Sequence, residues 1–258
     1  MLKGKKAFIF GVLNDYSLGW HIAKQLNAQG CELAFSHMPG EKFERRVVKA
    51  VEPYNPKFLT PCDVQKDEDI AAAFAKAKEN FGTFDYLVHS LAFAPSDVFG
   101  NPFLQTSRES WRIALDVSAY SLVALSRAAL PMMNPNGSIL TLSYFAAEKY
   151  VPNYNMMAVA KAALECTVRY LAAELGRNEK HIRVNAVSAG AIKTMAAKGT
   201  GDIDSMIDHY NSKSAIPWDG EEAATHVGKA GMYLLSDLAS GVTGEIHYVD
   251  GGYNIIGW

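Results

Sequence analysis

Hydrophobic positions along the chain follow two rhythms. Short apolar runs at Lys6–Gly11, Cys31–Ser36, Lys57–Pro61, Phe84–Ser90, Gly137–Leu142, Ile182–Ser188 and Gly244–Val249 have the length and continuity of strands buried on both faces. Longer stretches with helical spacing lie between them: Ser17–Gln29, Phe43–Val51, Glu68–Asn80, Arg108–Met133, Tyr154–Leu175 and Glu221–Ser236, with a shorter amphipathic stretch at Ile203–Tyr210. Gly30 and Gly176 stand where two of these helices should stop. Regular alternation of the two patterns predicts an α/β fold, a doubly wound parallel sheet of about seven strands with helices on both faces. No linker or low-complexity stretch interrupts it, so residues 1–258 read as a single domain.

Composition narrows the function. Of 258 residues 49% are apolar and 20% charged, the formal net charge is −2, and Lys and Arg are spread along the chain. That argues against a nucleic-acid surface. No apolar run approaches the roughly 20 residues of a membrane span. The opening MLKGKKAFIFG is too short in its apolar part for a signal peptide and reads as a first strand. The cytoplasm is the expected compartment. Cys31, Cys62 and Cys166 lack C-x-x-C spacing and read as small core residues. The seven histidines form no H-x-x-x-H pair, so no metal site is expected.

The first strand is followed by Gly11-Val12-Leu13-Asn14-Asp15-Tyr16-Ser17-Leu18-Gly19-Trp20. A dinucleotide pyrophosphate needs close backbone approach, which Gly11 supplies, and a helix N-terminus, for which Ser17 is a suitable N-cap. The spacing departs from G-x-G-x-x-G, but the position is that of the fingerprint in a Rossmann-like sheet. Strand two ends in Ser36-His37-Met38 without the acid that binds an NAD ribose, and Lys42, Arg45 and Arg46 follow, which leaves NADP open. Asp63-Val64 after strand three suits either an adenine contact or a helix N-cap. His89-Ser90-Leu91-Ala92 ends strand four, where backbone can approach a ribose.

Candidate chemistry follows strand five. Tyr144 closes that strand, and Tyr154 and Lys161 stand seven residues apart in the stretch read as the next helix. Seven residues are nearly two turns, so both side chains should share a face. A neighbouring ammonium would favour the phenolate and adjust the acidity of the phenol.

Taken together these residues resemble the short-chain dehydrogenase/reductase family, whose pattern is completed by the terminal Val249-Asp250-Gly251-Gly252. Ordinary members carry Tyr-x-x-x-Lys with a serine about thirteen residues before the tyrosine. Counting back from Lys161, the tyrosine slot holds Met157 and the serine slot holds Tyr144, while the acid has moved to Tyr154. That displacement is similar to the divergent branch containing bacterial NADH-type enoyl-[acyl-carrier-protein] reductases. Matching stretches include Cys62-Asp63-Val64, His89 to Pro95, Leu142-Ser143-Tyr144, Pro152-Asn153-Tyr154-Asn155, Ala160-Lys161-Ala162 with Leu164-Glu165, Arg183-Val184-Asn185-Ala186 and Ser188-Ala189-Gly190.

The resemblance implies hydride transfer to a 2-enoyl thioester linked to acyl carrier protein. Tyr154 would stabilise the enolate, Lys161 would hold the nicotinamide ribose, and Tyr144 and Ala94 would lie near the substrate. It further implies that Gly11, Ser17, Leu18, Asp63, Val64, Ser90, Leu91, Lys161, Ile192, Lys193, Thr194, Met195 and Ala196 line NADH. Ala191 and Lys193 depart from the family's frequent Pro and Arg, and Met38 replaces the Gln common in NADH members. The apolar segment near 193–212, with Ile203, Met206 and Ile207, is expected to form a substrate lid. A homotetramer is expected from the resemblance, with the helices at 108–133 and 154–175 as interface elements. Two other functions remain at this point: an ordinary dehydrogenase acting on a carbonyl or alcohol, and a non-enzymatic dinucleotide sensor.

Overall fold

The computed structural model describes residues 1–194, 203–218 and 220–257. Among these, seven strands form one parallel sheet: β1 (Lys6–Phe10), β2 (Glu32–His37), β3 (Leu59–Pro61), β4 (Phe84–His89), β5 (Met133–Tyr144), β6 (Arg183–Ala189) and β7 (Ile246–Val249). Their order is β3-β2-β1-β4-β5-β6-β7. The order reverses between β1 and β4, and a crevice opens there beyond the carboxyl ends of the strands.

Period-two alternation assigns each strand residue to a face. In β1, Ala7 and Ile9 pack on one side with α1 (Leu18–Ala28), α2 (Glu41–Val51) and α8 (Gly220–Leu235). Phe8 and Phe10 pack on the other with α3 (Asp67–Phe81), α5 (Ser121–Ala129) and α6 (Met156–Arg177). Both faces are covered, which is why the strands read as unbroken apolar runs. The Phe8 ring meets Phe10, Phe58, Phe74 and Phe84 at centroid separations of 4.5 to 6.3 Å, a cluster that fixes the sheet against α3. On the opposite face α1 and α8 come so close that a Cβ at Gly228 would lie 2.5 Å from the His21 carbonyl oxygen.

Four expectations are corrected. The helix expected from Tyr154 begins at Met156, and Tyr154 lies in the turn before it. Asn153 and Asn155 in that turn take φ of 63° and 43°, values that a right-handed helix does not adopt. The helix expected over 108–133 is α4 (Arg108–Leu115), a π-helical turn over Asp116–Tyr120, then α5. Ser121 donates to the Val117 carbonyl at 2.7 Å and Ser118 bonds outward to Phe93, and these side-chain bonds accompany the widened turn. The same run, Arg108–Met132, is 25 residues long and by length and composition alone is sufficient to cross a membrane; 56% of its most apolar stretch is buried inside the fold. Cys166 is exposed on α6, whereas Cys31 and Cys62 are buried, with burial pushing both thiols up to about 12.

Candidate active site

A cavity of about 720 Å³ opens at the carboxyl ends of β1, β4, β5 and β6. The glycine turn forms one wall. Gly11 leaves β1 at φ 93°, and a Cβ there would sit 2.0 Å from the Ser90 carbonyl oxygen, so the two loops can touch only through glycine. Ser17 stands at the N-cap of α1, but its hydroxyl accepts from the amides of Leu13 (3.0 Å) and Asn14 (3.2 Å) instead of capping the helix. The loop is thereby stapled on itself, and the first amides of α1 have no side-chain cap, which leaves them free for an anion.

The loop after β4 supplies a second wall. His89 is wholly buried at its root, with Nδ1 2.8 Å from Thr141 Oγ1 and Nε2 2.7 Å from Ser121 Oγ. Ser121 gives its own proton to Val117, so it accepts the Nε2 proton and Nδ1 accepts from Thr141. Further on, Ser118 Oγ accepts from the Phe93 amide (2.9 Å) and donates to the Phe93 carbonyl (3.0 Å). The π-helical turn thus holds the Ala92–Ala94 loop against the cavity.

The third wall carries the candidate chemistry. Tyr144, Tyr154 and Lys161 all line the cavity. Tyr154 is placed by its neighbour: Asn155 Nδ2 donates to the carbonyls of Val98 (2.9 Å) and Asn101 (3.0 Å), pinning the turn to the loop after β4. The Tyr144 and Tyr154 rings are 4.7 Å apart. Tyr144 is the more enclosed of the two. Its hydroxyl is fully buried beside that of Tyr210 on α7 (Ile203–Lys213), and burial pushes it up to about 12. Tyr210 in turn stacks on Tyr253 at 3.8 Å, and Tyr253 Oη meets His209 Nε2 at 3.0 Å.

Lys161 Nζ donates to the Leu142 carbonyl at 2.6 Å, and burial lowers the ammonium to about 8, opposed by Glu165. The expected lowering of the phenol by the ammonium is not found. Burial, with Tyr144 adding to it, pushes Tyr154 upward, so its hydroxyl stays protonated at neutral pH. A neutral phenol facing a cavity is a hydrogen-bond donor, and its acidity is set by desolvation rather than by Lys161.

The cavity brings together Gly11, Ser17, Leu18, Ser90, Leu91, Ala94, Tyr144, Tyr154, Lys161, Ile192 and Thr194 from the sequence expectations. It does not include Asp63 or Val64. The Asp63 amide donates to Asp69 Oδ2 (2.9 Å) and Asp63 Oδ1 accepts from the Gln65 amide (3.1 Å), so this carboxylate orders the turn into α3. Lys193 is exposed and paired with Asp204 Oδ1 at 2.6 Å, outside the cavity lining. Met195 and Ala196 lie outside the described residues. Sequence reasoning missed Tyr210, Tyr253 and Trp218. Tyr210 continues the apolar face of Ile203 and Met206, a spacing that could have marked it. Trp218 donates Nε1–H to the Ala191 carbonyl at 3.0 Å and so holds the loop after β6, with no local signal of that role.

These residues fit a dinucleotide: uncapped helix amides beside a glycine turn, and an ammonium on the same cavity. A parallel sheet in this order, with that turn after its first strand and tyrosines beside a buried lysine, defines a dinucleotide-dependent oxidoreductase of the short-chain class. The model of one family, enoyl-(acyl carrier protein) reductase, matches residues 11–254, and the chain belongs to that family. It is 48% identical over 258 residues to the NADH enoyl-[acyl-carrier-protein] reductase FabI of Nostoc sp., covering 99% of this chain and 98% of that one. Among solved structures, the Bacillus cereus enoyl-acyl carrier protein reductase with NADP+ and indole naphthyridinone aligns with a TM-score of 0.94 and 41% identity, covering 100% and 99% of the two chains. The Anaplasma phagocytophilum enzyme in complex with NAD aligns with a TM-score of 0.92 and 41% identity over 100% and 96%.

Proposed function

We propose that this chain is an enoyl-[acyl-carrier-protein] reductase, using NADH to reduce the trans-2 double bond of enoyl thioesters during fatty acid elongation in the cytoplasm. The observation that carries the reading is the displaced acid. Met157 holds the slot of the ordinary tyrosine and packs its sulfur 3.9 Å from Ser118 Oγ, while Tyr154 reaches the cavity from the turn before α6. An acid moved in this way suits an oxygen three bonds from the carbon that receives hydride, where a ketone's oxygen is only one bond away.

A nicotinamide cofactor bound in the cavity supplies the hydride. As the β-carbon accepts it, negative charge develops on the thioester oxygen. The protonated Tyr154 hydroxyl donates to that oxygen, an interaction stronger in the transition state than in the ground state. A solvent proton completes the α-carbon. Lys161 binds the ribose hydroxyls through the donors not engaged by Leu142, and the amides at the start of α1 receive the pyrophosphate. Gly11, Ser17, Leu18, Ser90, Leu91, Ile192 and Thr194 make the cofactor wall, and Ala94 meets the substrate. Asp63 and Val64 serve the adenosine end, where Met38 and the absent β2 acid leave NADPH usable. The relatives named for NADH support the assignment of that cofactor.

Ile203 and Met206 present the apolar face of α7 to the cavity, which supports a substrate lid in its described part, 203–212; residues 195–202 of the expected lid lie outside the described residues. The active form is a homotetramer built on the 108–133 and 154–175 helices. Exposed Trp111, Tyr120 and Tyr170 on those elements support it.

One assay tests the whole reading. NADH absorbance is followed with a 2-enoyl thioester on acyl carrier protein, then with a 3-oxoacyl thioester, and both are repeated with NADPH. Rapid oxidation with the enoyl substrate alone is expected. Turnover confined to the 3-oxo substrate would replace the reading with that of an ordinary carbonyl dehydrogenase.

A further inference from the structure

Glu165 is a carboxylate buried in the core with no part in the steps above, 5% exposed, on α6 one turn beyond Lys161. Ser143 Oγ donates to Glu165 Oε1 at 2.5 Å, and Lys161 Nζ donates to the carbonyl of Leu142 at 2.6 Å. Two consecutive residues at the end of β5 are therefore gripped by two residues one turn apart on α6. The next residue of β5 is Tyr144, whose ring packs on Tyr154. The grip thus connects the ammonium, the strand end and the tyrosine pair.

Charge surrounds this junction unevenly. Glu165 is raised by burial and by Glu148 in the turn after β5, and lowered by the Ser143 hydroxyl, by Arg169 and by Lys161 on its own helix. Tyr248 on β7 faces it, protonated. Lys161 feels Glu165 from α6, and His89 on β4 faces it as a neutral ring. Glu165 is the acidic side chain that opposes the lowering of the buried ammonium, and through Ser143 it holds the strand residue next to the ammonium's own anchor, Leu142. A buried cation without an acidic partner favours its neutral form, and a neutral amine loses both charge and one donor.

We infer that Glu165, oriented by Ser143, is a positioning residue that keeps Lys161 charged and fixed to the end of β5, and so sets the pH range over which the cofactor is held. The inference rests on the reductase reading for its link to turnover.

The test is the pH dependence of NADH affinity, by cofactor fluorescence, and of kcat/KM for NADH, in wild type, E165Q, S143A and the double variant. E165Q keeps the shape and can still accept from Ser143, and thermal unfolding checks that each variant folds. Loss of the carboxylate should move the alkaline fall in affinity and kcat/KM to lower pH. E165Q is expected within about threefold of wild type at pH 6, about fivefold below it at pH 8 and about tenfold below it above pH 9, for one unit of displacement. S143A should fall between the two, and the double variant should match E165Q, since both residues act on one ammonium. Superimposable profiles, or a loss equal at every pH, would overturn the inference. Wild type that binds NADH but does not reduce enoyl thioesters would sink the reductase reading alone, because the affinity profiles would still report on Glu165.

Discussion

Tyr144 and Tyr154 pack with ring centroids 4.7 Å apart and planes tilted by 53°, yet their hydroxyls have different surroundings. The Tyr144 hydroxyl is sealed beside Tyr210, and Tyr154 meets the cavity with Lys161. Two neighbouring phenols on one cavity are thus divided into one whose hydroxyl is sealed against another side chain and one whose hydroxyl is not.

That division is measurable. Tyr154→Phe removes the donor to the developing oxyanion and should lower kcat by about 10²–10³-fold with little change in the KM for NADH. Tyr144→Phe removes a hydroxyl that faces another side chain and should cost less than about tenfold. Steady-state oxidation of NADH with an enoyl thioester checks both, and equal losses would contradict the division.

Close approach of helices makes a second prediction. Gly228→Ala would put a methyl 2.5 Å from the His21 carbonyl oxygen, backbone that cannot step aside. Overpacking of this kind typically costs about 1–3 kcal/mol. Urea unfolding should show that loss. Because His21 lies in α1, the helix that carries the cofactor turn, weaker NADH binding should accompany it.

Much of this was legible in the chain. Alternation of Ala7 and Ile9 with Phe8 and Phe10 required a sheet covered on both faces, and the displacement of the acid from Met157 to Tyr154 singled out the family. What was not legible depended on contacts remote in sequence. Helical spacing carried the reading of α6 back to Tyr154, although Pro152, Asn153 and Asn155 are turn residues and the positive φ of both asparagines ends the helix at Met156. The π-helical turn at Asp116–Tyr120 accompanies the bonds of Ser118 to Phe93, 25 residues away. The effect of Lys161 on Tyr154 was read from proximity alone. Burial, which a sequence does not display, has the opposite sign and prevails. Asp63 reads from the sequence as an adenine contact or a helix N-cap; the N-cap of α3 is Lys66, and the bonds of Asp63 order the turn before it.

The anchoring of α7 makes a third prediction. Tyr210 stacks on Tyr253 at 3.8 Å with planes 15° apart, and His209 bonds the Tyr253 hydroxyl. Tyr253 belongs to the turn after β7, so α7 is held by a remote segment of chain. An aromatic pair of this kind contributes about 0.5–1.5 kcal/mol. Tyr253→Ala should loosen α7, raise the KM for the enoyl substrate by about three- to tenfold, and leave the affinity for NADH nearly unchanged. A change in NADH affinity larger than that in substrate KM would show that α7 serves the cofactor instead.

His89 makes the fourth prediction, in stability. Its ring is wholly buried, and desolvation together with the nearby Lys161 ammonium lowers it to about 3, so it is neutral in the folded protein. In the unfolded chain a histidine titrates near 6.5. Between those values the unfolded state binds a proton that the folded state does not, so stability falls as pH drops from about 6.5 toward 3, by up to about 1.4 kcal/mol per pH unit. Above about 6.5 neither state binds the proton and the contribution is flat. His89→Gln retains an amide able to bond Thr141 and Ser121 but takes up no proton. It should be less stable than wild type at pH 7.5, because the amide reaches the two hydroxyls with poorer geometry. The gap should narrow steadily below pH 6.5. Urea unfolding of both proteins from pH 7.5 to 4.5 measures the difference, in which the titration of all other groups cancels. A gap that stays constant over that range would mean that the His89 ring is charged in the folded protein, and that the tautomer bridging Thr141 and Ser121 is wrong.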